Sequence, residues 1–191
     1  MDILSRIKKL LFVQTRIWKY KILSTCTNII GKPKVYHPLL LNGNGTIQFG
    51  SNVQIGVINS TNFYSHYTYL EARTAESKIS IGSNTSINNA FSAIAYLEIT
   101  IGDNVLIGNN CSMIDNDGHH LDINKRTNTI PVAKPITIEN NVFIGNQVTV
   151  LKGVTIGENS VIGSGSIVTK SIPKNVIAAG NPAKIIRNLI K

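Results

Sequence analysis

Every sixth residue from Ile138 onward is aliphatic: Ile138, Ile144, Val150, Ile156, Ile162 and Val168. Two positions earlier runs a second register of small or β-branched residues: Ile136, Val142, Val148, Val154, Ser160 and Ser166. Gly often follows the aliphatic residue, as in Ile144-Gly145 and Ile156-Gly157, and Asn precedes the small one at Asn141 and Asn159. The pattern recurs upstream in Ile101, Ile107 and Met113, in Ile81, Ile87 and Ala93, and more weakly in Phe49 and Ile55. Between blocks the register slips. Ile81 to Ile101 is 20 residues and Met113 to Ile138 is 25, so each interval holds an insertion.

A strand alternates with period two and a helix with period 3.6, so neither alone repeats every six. A short strand closed by a tight turn does, and three such sides make one triangular coil of about 18 residues. Coils stacked about 4.8 Å apart pair through their backbones. Gly and Asn suit the corners, where left-handed backbone angles cost them little. The repeat region 43–172 then forms about seven coils.

The two ends differ in kind. Ile3, Leu4, Ile7, Leu10, Leu11, Ile17 and Trp18 recur at helical spacing, with Gln14 as an interruption, and predict an amphipathic helix. Ala183 to Lys191, after Pro182, predicts a short C-terminal helix. The expected organisation is a basic helical segment, 1–40, and a β-helix domain, 41–191, with an irregular loop at about 114–135.

Composition narrows the class. The chain has 191 residues, 42% apolar and 15% charged, which suits one domain with a sizeable core. No apolar run approaches the roughly 18 residues of a membrane span. The N-terminus lacks the apolar core and cleavage site of a signal peptide. Cys26 and Cys111 fit neither a disulfide framework nor a paired zinc motif, and a cytosolic compartment is expected. Of the net charge of +9, residues 1–40 carry +7: eight Lys/Arg against Asp2. The rest is nearly neutral, so nucleic acid is not the expected partner. The basic helix has two readings. It docks on the prism or a neighbouring subunit, or residues 1–20 make a peripheral contact with an anionic membrane.

The long interruption after Met113, IDNDGHHLDINKRTNTIPVAKP, gathers His119, His120, Asp115, Asp117 and Asp122. Such a loop can be merely solvated, hold a divalent metal, or supply a base. Its spacing matches no defined metal-ligand motif, so no metal is expected. A histidine titrates near neutrality and suits proton removal from a hydroxyl. His37, before Pro38, reads as structural. The aromatic group around His66 (Phe63, Tyr64, Tyr67, Tyr69) reads either as a sugar-stacking surface or as a cover for the prism.

The segments IGDNVLIGNNCSMI, ITIENNVFIGNQVTVLKGVTIGENSVIGSGSIVTKSIP and NVIAAGNPAKIIR resemble the hexapeptide-repeat acyltransferases over roughly 45–187. From Gly145 to Arg187 the likeness is to galactoside, maltose and polysaccharide O-acetyltransferases. The resemblance implies an all-β fold, a left-handed parallel β-helix, and a homotrimer. It implies acetyl-CoA as co-substrate and a carbohydrate acceptor, a hydroxyl of a cell-surface polysaccharide or its precursor. With the cytosolic compartment expected from the cysteines, the basic helix would hold such an enzyme at the inner face of the membrane if it binds there.

Asp115, Asp117 and His119 match the family's D-x-D-x-H segment, which implies His119 as general base, with His120 as runner-up and a carboxylate to orient the ring. Asn146, Ser164, Thr169 and Lys170 match the pantetheine groove, and Lys184 and Arg187 the cations at the nucleotide end. Phe143 stands where the family often has Trp, which keeps an aromatic face and loses the indole N–H. Asn88 and Asn89 match the acceptor side. Neither cysteine lies near the base, so direct transfer is expected. A small free acceptor, such as a simple sugar or an antibiotic, and a non-catalytic β-helix scaffold are the alternatives.

Overall fold

Short strands alternate with turns from Asn28 onward, and each turn carries the chain to the next side of a three-sided prism. The computed structural model describes residues 3–127 and 130–189. The first face is a six-stranded sheet of Asn28–Ile30, Thr46–Phe49, Lys78–Ile81, Glu98–Ile101, Ile136–Ile138 and Thr155–Ile156. The second begins with Lys34–Val35, Gln54–Ile55, Ser86–Ile87, Leu106–Ile107, Phe143–Ile144 and Val161–Ile162, and ends with Val176–Gly180 and Ala183–Asn188. The third holds Leu39–Asn42, Thr68–Ala72, Ser92–Ala95, Ser112–Ile114, Thr149–Leu151 and Ile167–Val168. All strand pairs are parallel except the last. This is the left-handed parallel β-helix that the hexads predict.

Both hexad registers point inward. On the first face Ile47, Ile79, Ile99 and Ile136 stack in one row, and Phe49, Ile81, Ile101 and Ile138 in the next, all of them buried. Full burial of each such side chain contributes about 1.5–3 kcal/mol. Between the first and second faces an asparagine turns every coil after the first. Asn52, Asn84, Asn104, Asn141, Asn159 and Asn175 have φ between 56° and 61°, where Asn is the cheapest residue after Gly. Their amides also bond up the stack, Asn141 to Asn159 at 2.9 Å and Asn159 to Asn175 at 2.8 Å.

Three details differ from expectation. Residues 28–40, placed by the sequence in the basic segment, form the first coil; with it, the first and third faces carry six parallel strands and the second carries seven, where about seven coils were expected of 43–172 alone. The predicted C-terminal helix is instead the strand Ala183–Asn188, antiparallel to Val176–Gly180; residues 190–191 lie outside the described residues. Gly180 at φ 111° reverses the chain, and the backbone of the last coil's second face offers unpaired groups that a strand satisfies and a helix does not. The N-terminal helix runs further than Trp18. It comprises Ile3–Lys9, a π-helical stretch Leu10–Gln14 at the predicted interruption, and Thr15–Leu23.

The helix docks on an insertion between Gln54–Ile55 and Thr68–Ala72 and on the first coil. Val13 is buried. Arg16 donates to the carbonyls of Phe63 (3.2 Å) and His66. Tyr20 stacks on Tyr67 with ring centroids 4.5 Å apart. Phe63 is buried, so the two aromatic residues that anchor the insertion cover protein rather than sugar. Buried His37 donates from Nε2 to the carbonyls of Asn62 (3.1 Å) and Ser65 (3.0 Å), which pins the same insertion. Burial holds its pKa below the ordinary histidine value.

Two expectations follow. A Cβ at Gly82 would lie 2.4 Å from the Gly102 backbone of the next coil, and a backbone contact cannot swing aside. Gly82→Ala should therefore lower stability by about 1–3 kcal/mol or more in chemical denaturation; an unchanged midpoint would mean that the coils part easily. His37 stays neutral in the fold and charges in the unfolded chain. Its stabilising contribution is whole above about pH 6.5 and is lost as pH falls below it, at up to about 1.4 kcal/mol per pH unit. Denaturation of His37→Gln between pH 7 and 5.5 should show a shallower loss than the parent chain; an equal slope assigns the acid sensitivity elsewhere.

Candidate active site

The loop after Ile114 is an arm closed at its base. Asn116 bridges Ala133, and the Lys134 N–H donates to the Asp115 carbonyl at 2.8 Å. Asp115 is fully buried. Its carboxylate accepts the backbone N–H groups of Tyr96 (2.9 Å), Leu97 (2.7 Å) and Glu98 (2.9 Å), and the Asn116 amide at 3.1 Å. The slip between Ile81 and Ile101 thus has a purpose: the widened corner at Tyr96-Leu97 turns three donors toward one acid. Asp117 forms an ion pair with Lys152, which also donates to the Val132 carbonyl at 3.1 Å. Residues 128 and 129 of the predicted loop lie outside the described residues.

The two histidines differ in tautomer. His119 Nδ1 faces the Arg126 carbonyl at 3.1 Å, so it carries the proton and donates, which leaves the exposed Nε2 as a free lone pair. His120 Nδ1 accepts from the Asp122 N–H at 3.1 Å, so its Nδ1 lone pair is engaged. No described carboxylate bonds to His119. The expected orienting acid is replaced by a backbone carbonyl, while Asp115 and Asp117 fix the arm that carries the ring.

The donor-side residues divide between two places. On the second face Leu106, Phe143, Val161, Ile177 and Arg187 lie opposite one another from strand to strand. Phe143 is about half exposed, so this row faces outward. Lys184 opposes Ala179, two residues from Ile177, and so shares that outer side. An irregularity in the final pair absorbs the odd spacing of the two cations. Asn146 and Ser164 stack on the adjoining corner, where the Asn146 N–H donates to Ser164 Oγ at 3.0 Å. Thr169 and Lys170 are exposed at the opposite edge of the third face, on the corner from which the arm leaves. The third-face strand Ile167–Val168 lies between the two corners. One chain therefore does not bring all the predicted donor residues together.

Asn89 is fully buried. Its Oδ1 accepts from the Val57 N–H (3.0 Å), and its Nδ2 donates to the carbonyls of Val57 (3.1 Å) and Thr61 (2.9 Å). It holds the insertion and has no donor left for an acceptor. Asn88 is half-buried, and its Oδ1 takes the Asn89 N–H at 2.7 Å.

Sequence reasoning missed Asn109, Arg126 and Lys152. Asn109 links Asn146 Oδ1 (2.8 Å) to the carbonyls of Asn89 (3.1 Å) and Thr61 (2.9 Å). The hexad register could have found it, since Asn89, Asn109, Asn146 and Ser164 each stand two after the aliphatic residue. Arg126 and Lys152 carry no such signal. Both cysteines are buried, and burial pushes their thiols up; Cys111 donates to the Gly145 carbonyl at 3.0 Å. Among the described residues no three His, Cys, Asp or Glu gather as a metal site.

Comparison with known proteins yields consistent relatives. The family profile described as "Bacterial transferase hexapeptide (six repeats)" matches residues 135–170, and "Hexapeptide repeat of succinyl-transferase" matches 98–118. The galactoside O-acetyltransferase of Escherichia coli is 49% identical over 113 residues, 59% of this chain and 55% of that protein. The chain thus spans little more than half of that relative. The crystal structure of the polySia-specific acetyltransferase NeuO is 33% identical, with a TM-score of 0.64 over 86% of this chain and 84% of that one. The hexapeptide-repeat acetyltransferase VCA0836 of Vibrio cholerae, crystallised with acetyl-CoA, is 35% identical, with a TM-score of 0.59 over 65% of this chain and 66% of that one.

Asp115→Ala would remove the acceptor of three part-buried N–H groups, at a net cost of about 0.5–1.5 kcal/mol for each lost bond. The variant should lose about 2–4 kcal/mol of stability, and its arm should be cut faster by trypsin at Lys125 and Arg126. Unaltered cleavage would show that the arm is held from elsewhere.

Proposed function

The chain belongs to the hexapeptide-repeat acyltransferases, and on that premise we propose that it transfers acetyl from acetyl-CoA to a sugar hydroxyl. The observation that carries the mechanism is the contact of His119 Nδ1 with the Arg126 carbonyl at 3.1 Å on an exposed ring of an anchored arm, which favours the tautomer with its lone pair on Nε2. In this reading Nε2 takes the hydroxyl proton as the oxygen attacks the thioester carbonyl. The C–S bond then breaks, and the protonated ring returns the proton to the departing thiolate. Backbone N–H groups stabilise the developing oxyanion. The buried thiols, with raised pKa, suit direct transfer rather than an acyl-cysteine.

The residues present suit coenzyme A. The outer row with Phe143 offers an extended apolar track, Lys184 and Arg187 offer two cations for phosphate at one end, and the space beside Gly165 is open. Thr169 and Lys170 lie across the third face from Asn146 and Ser164, so the groove is completed by a second copy, as in a trimer. The exposed apolar residues of the arm, Leu121, Ile123 and Ile130, support such a neighbour.

A cell-surface polysaccharide or its precursor is the proposed acceptor, supported by likeness to a polySia-specific acetyltransferase over most of both chains. The higher identity to a galactoside O-acetyltransferase favours a second reading, a small free sugar. Mass spectrometry of products from both acceptor types, offered with acetyl-CoA, separates them. Consumption of no acetyl-CoA with any acceptor would point to a scaffold.

His119→Ala should lower kcat by about 10²–10⁴ and leave the KM for acetyl-CoA nearly unchanged. His120→Ala should cost less than about tenfold. The reverse order would move the base to His120, and full activity in both variants would sink the mechanism.

A further inference from the structure

The helix Ile3–Leu23 buries little of its apolar surface. Val13, Arg16 and Tyr20 meet the body, at spacings of three and four. Ile3, Ile7, Leu11, Trp18 and Ile22 recur at intervals of four, four, seven and four, which aligns them in one stripe. They are exposed to 76%, 47%, 55%, 52% and 82%. A contiguous apolar surface of this kind marks an interaction site.

The charge around the stripe selects the partner. Residues 3–70 hold eight Lys/Arg and no acidic residue. Lys8, Lys9, Lys19 and Lys21 on the helix are exposed, and neither ion pair among the described residues involves them. A second copy laid on the stripe would set cation against cation. An anionic bilayer accepts both features, with aliphatic side chains and Trp18 at the acyl boundary and ammonium groups among the headgroups. No helix among the described residues is long and apolar enough to cross a membrane, so the contact lies in the interface plane.

We propose that the outer stripe of the N-terminal helix, flanked by these lysines, docks the protein on an anionic lipid surface. The docked side, through Val13, Arg16 and Tyr20, fixes the prism to the helix and hence to that surface. The proposal stands whatever the acceptor.

Trp18 is the single tryptophan, so its emission reports on the stripe directly. The full chain should sediment with phosphatidylcholine vesicles containing phosphatidylglycerol, with a blue shift of Trp18. It should not sediment with phosphatidylcholine alone. Binding should weaken as salt rises. Joint Lys8→Gln and Lys9→Gln should weaken it about 25-fold, fivefold per charge. Ile22→Asp, at the most exposed position of the stripe, should abolish binding while its thermal unfolding stays unchanged. Three results would overturn the proposal: no sedimentation with the anionic vesicles, equal binding to neutral ones, or a Trp18 emission already blue without lipid that reddens on dilution, the mark of a second copy on the stripe. Acetyl transfer to a soluble sugar, measured alongside in each variant, keeps this outcome separate from that of the proposed activity.

Discussion

Stacking at about 4.8 Å per coil is the constraint on which everything else rests. At that spacing each side chain meets its equivalent in the coil above and the coil below. Isoleucine therefore stacks on isoleucine inside, and asparagine bonds to asparagine at a corner. Gly82 and Gly102 stay glycine because the neighbouring backbone occupies the space of a Cβ. The same spacing leaves no slack within a rung, so irregular chain can leave only at a corner. The arm and the insertion before Thr68 both do so, from corners at opposite edges of the third face.

That constraint also explains what could be read in the sequence. A contact between equivalent positions repeats, and a repeat is visible in one chain. The core rows, the corner asparagines and the Asn146–Ser164 pair all follow the hexad. The departures obey other rules. The final strand pairs once, backwards, and its composition around Ile185 and Ile186 gave no repeat to follow. The first coil, Asn28–Ile30 and Lys34–Val35, is more exposed than the later ones and lacks their aliphatic register, so it read as part of the basic segment.

The arm shows the same limit in its chemistry. The D-x-D-x-H pattern pointed to this loop, and the order of its residues suggested acids beside a base. In the fold both acids bond to protein groups: Asp115 accepts three N–H groups at the Tyr96-Leu97 corner, and Asp117 pairs with Lys152. The group that sets the tautomer of His119 is a main-chain carbonyl at Arg126, which no side-chain pattern encodes. The donor side divides similarly. Register carries Phe143, Lys184 and Arg187 to one outer surface, while Thr169 and Lys170 stand apart by the width of a face.

The reversed last strand has a consequence for assembly. A solenoid of parallel rungs ends in a row of free N–H and C=O groups, and any second prism presents a matching row. Left bare, such ends template one another and grow into fibres. Here the second face finishes with a strand of opposite direction, whose outer edge no longer offers the parallel pattern and whose exposed Lys184 and Arg187 repel a like copy. At the other end Tyr20 of the helix stacks on Tyr67 of the insertion, and Ser24, just past the helix, accepts the Leu41 N–H of the first coil at 3.0 Å. A reversed strand at one end of the stack and a helix at the other thus interrupt, among the described residues, the parallel pattern that a further prism would extend.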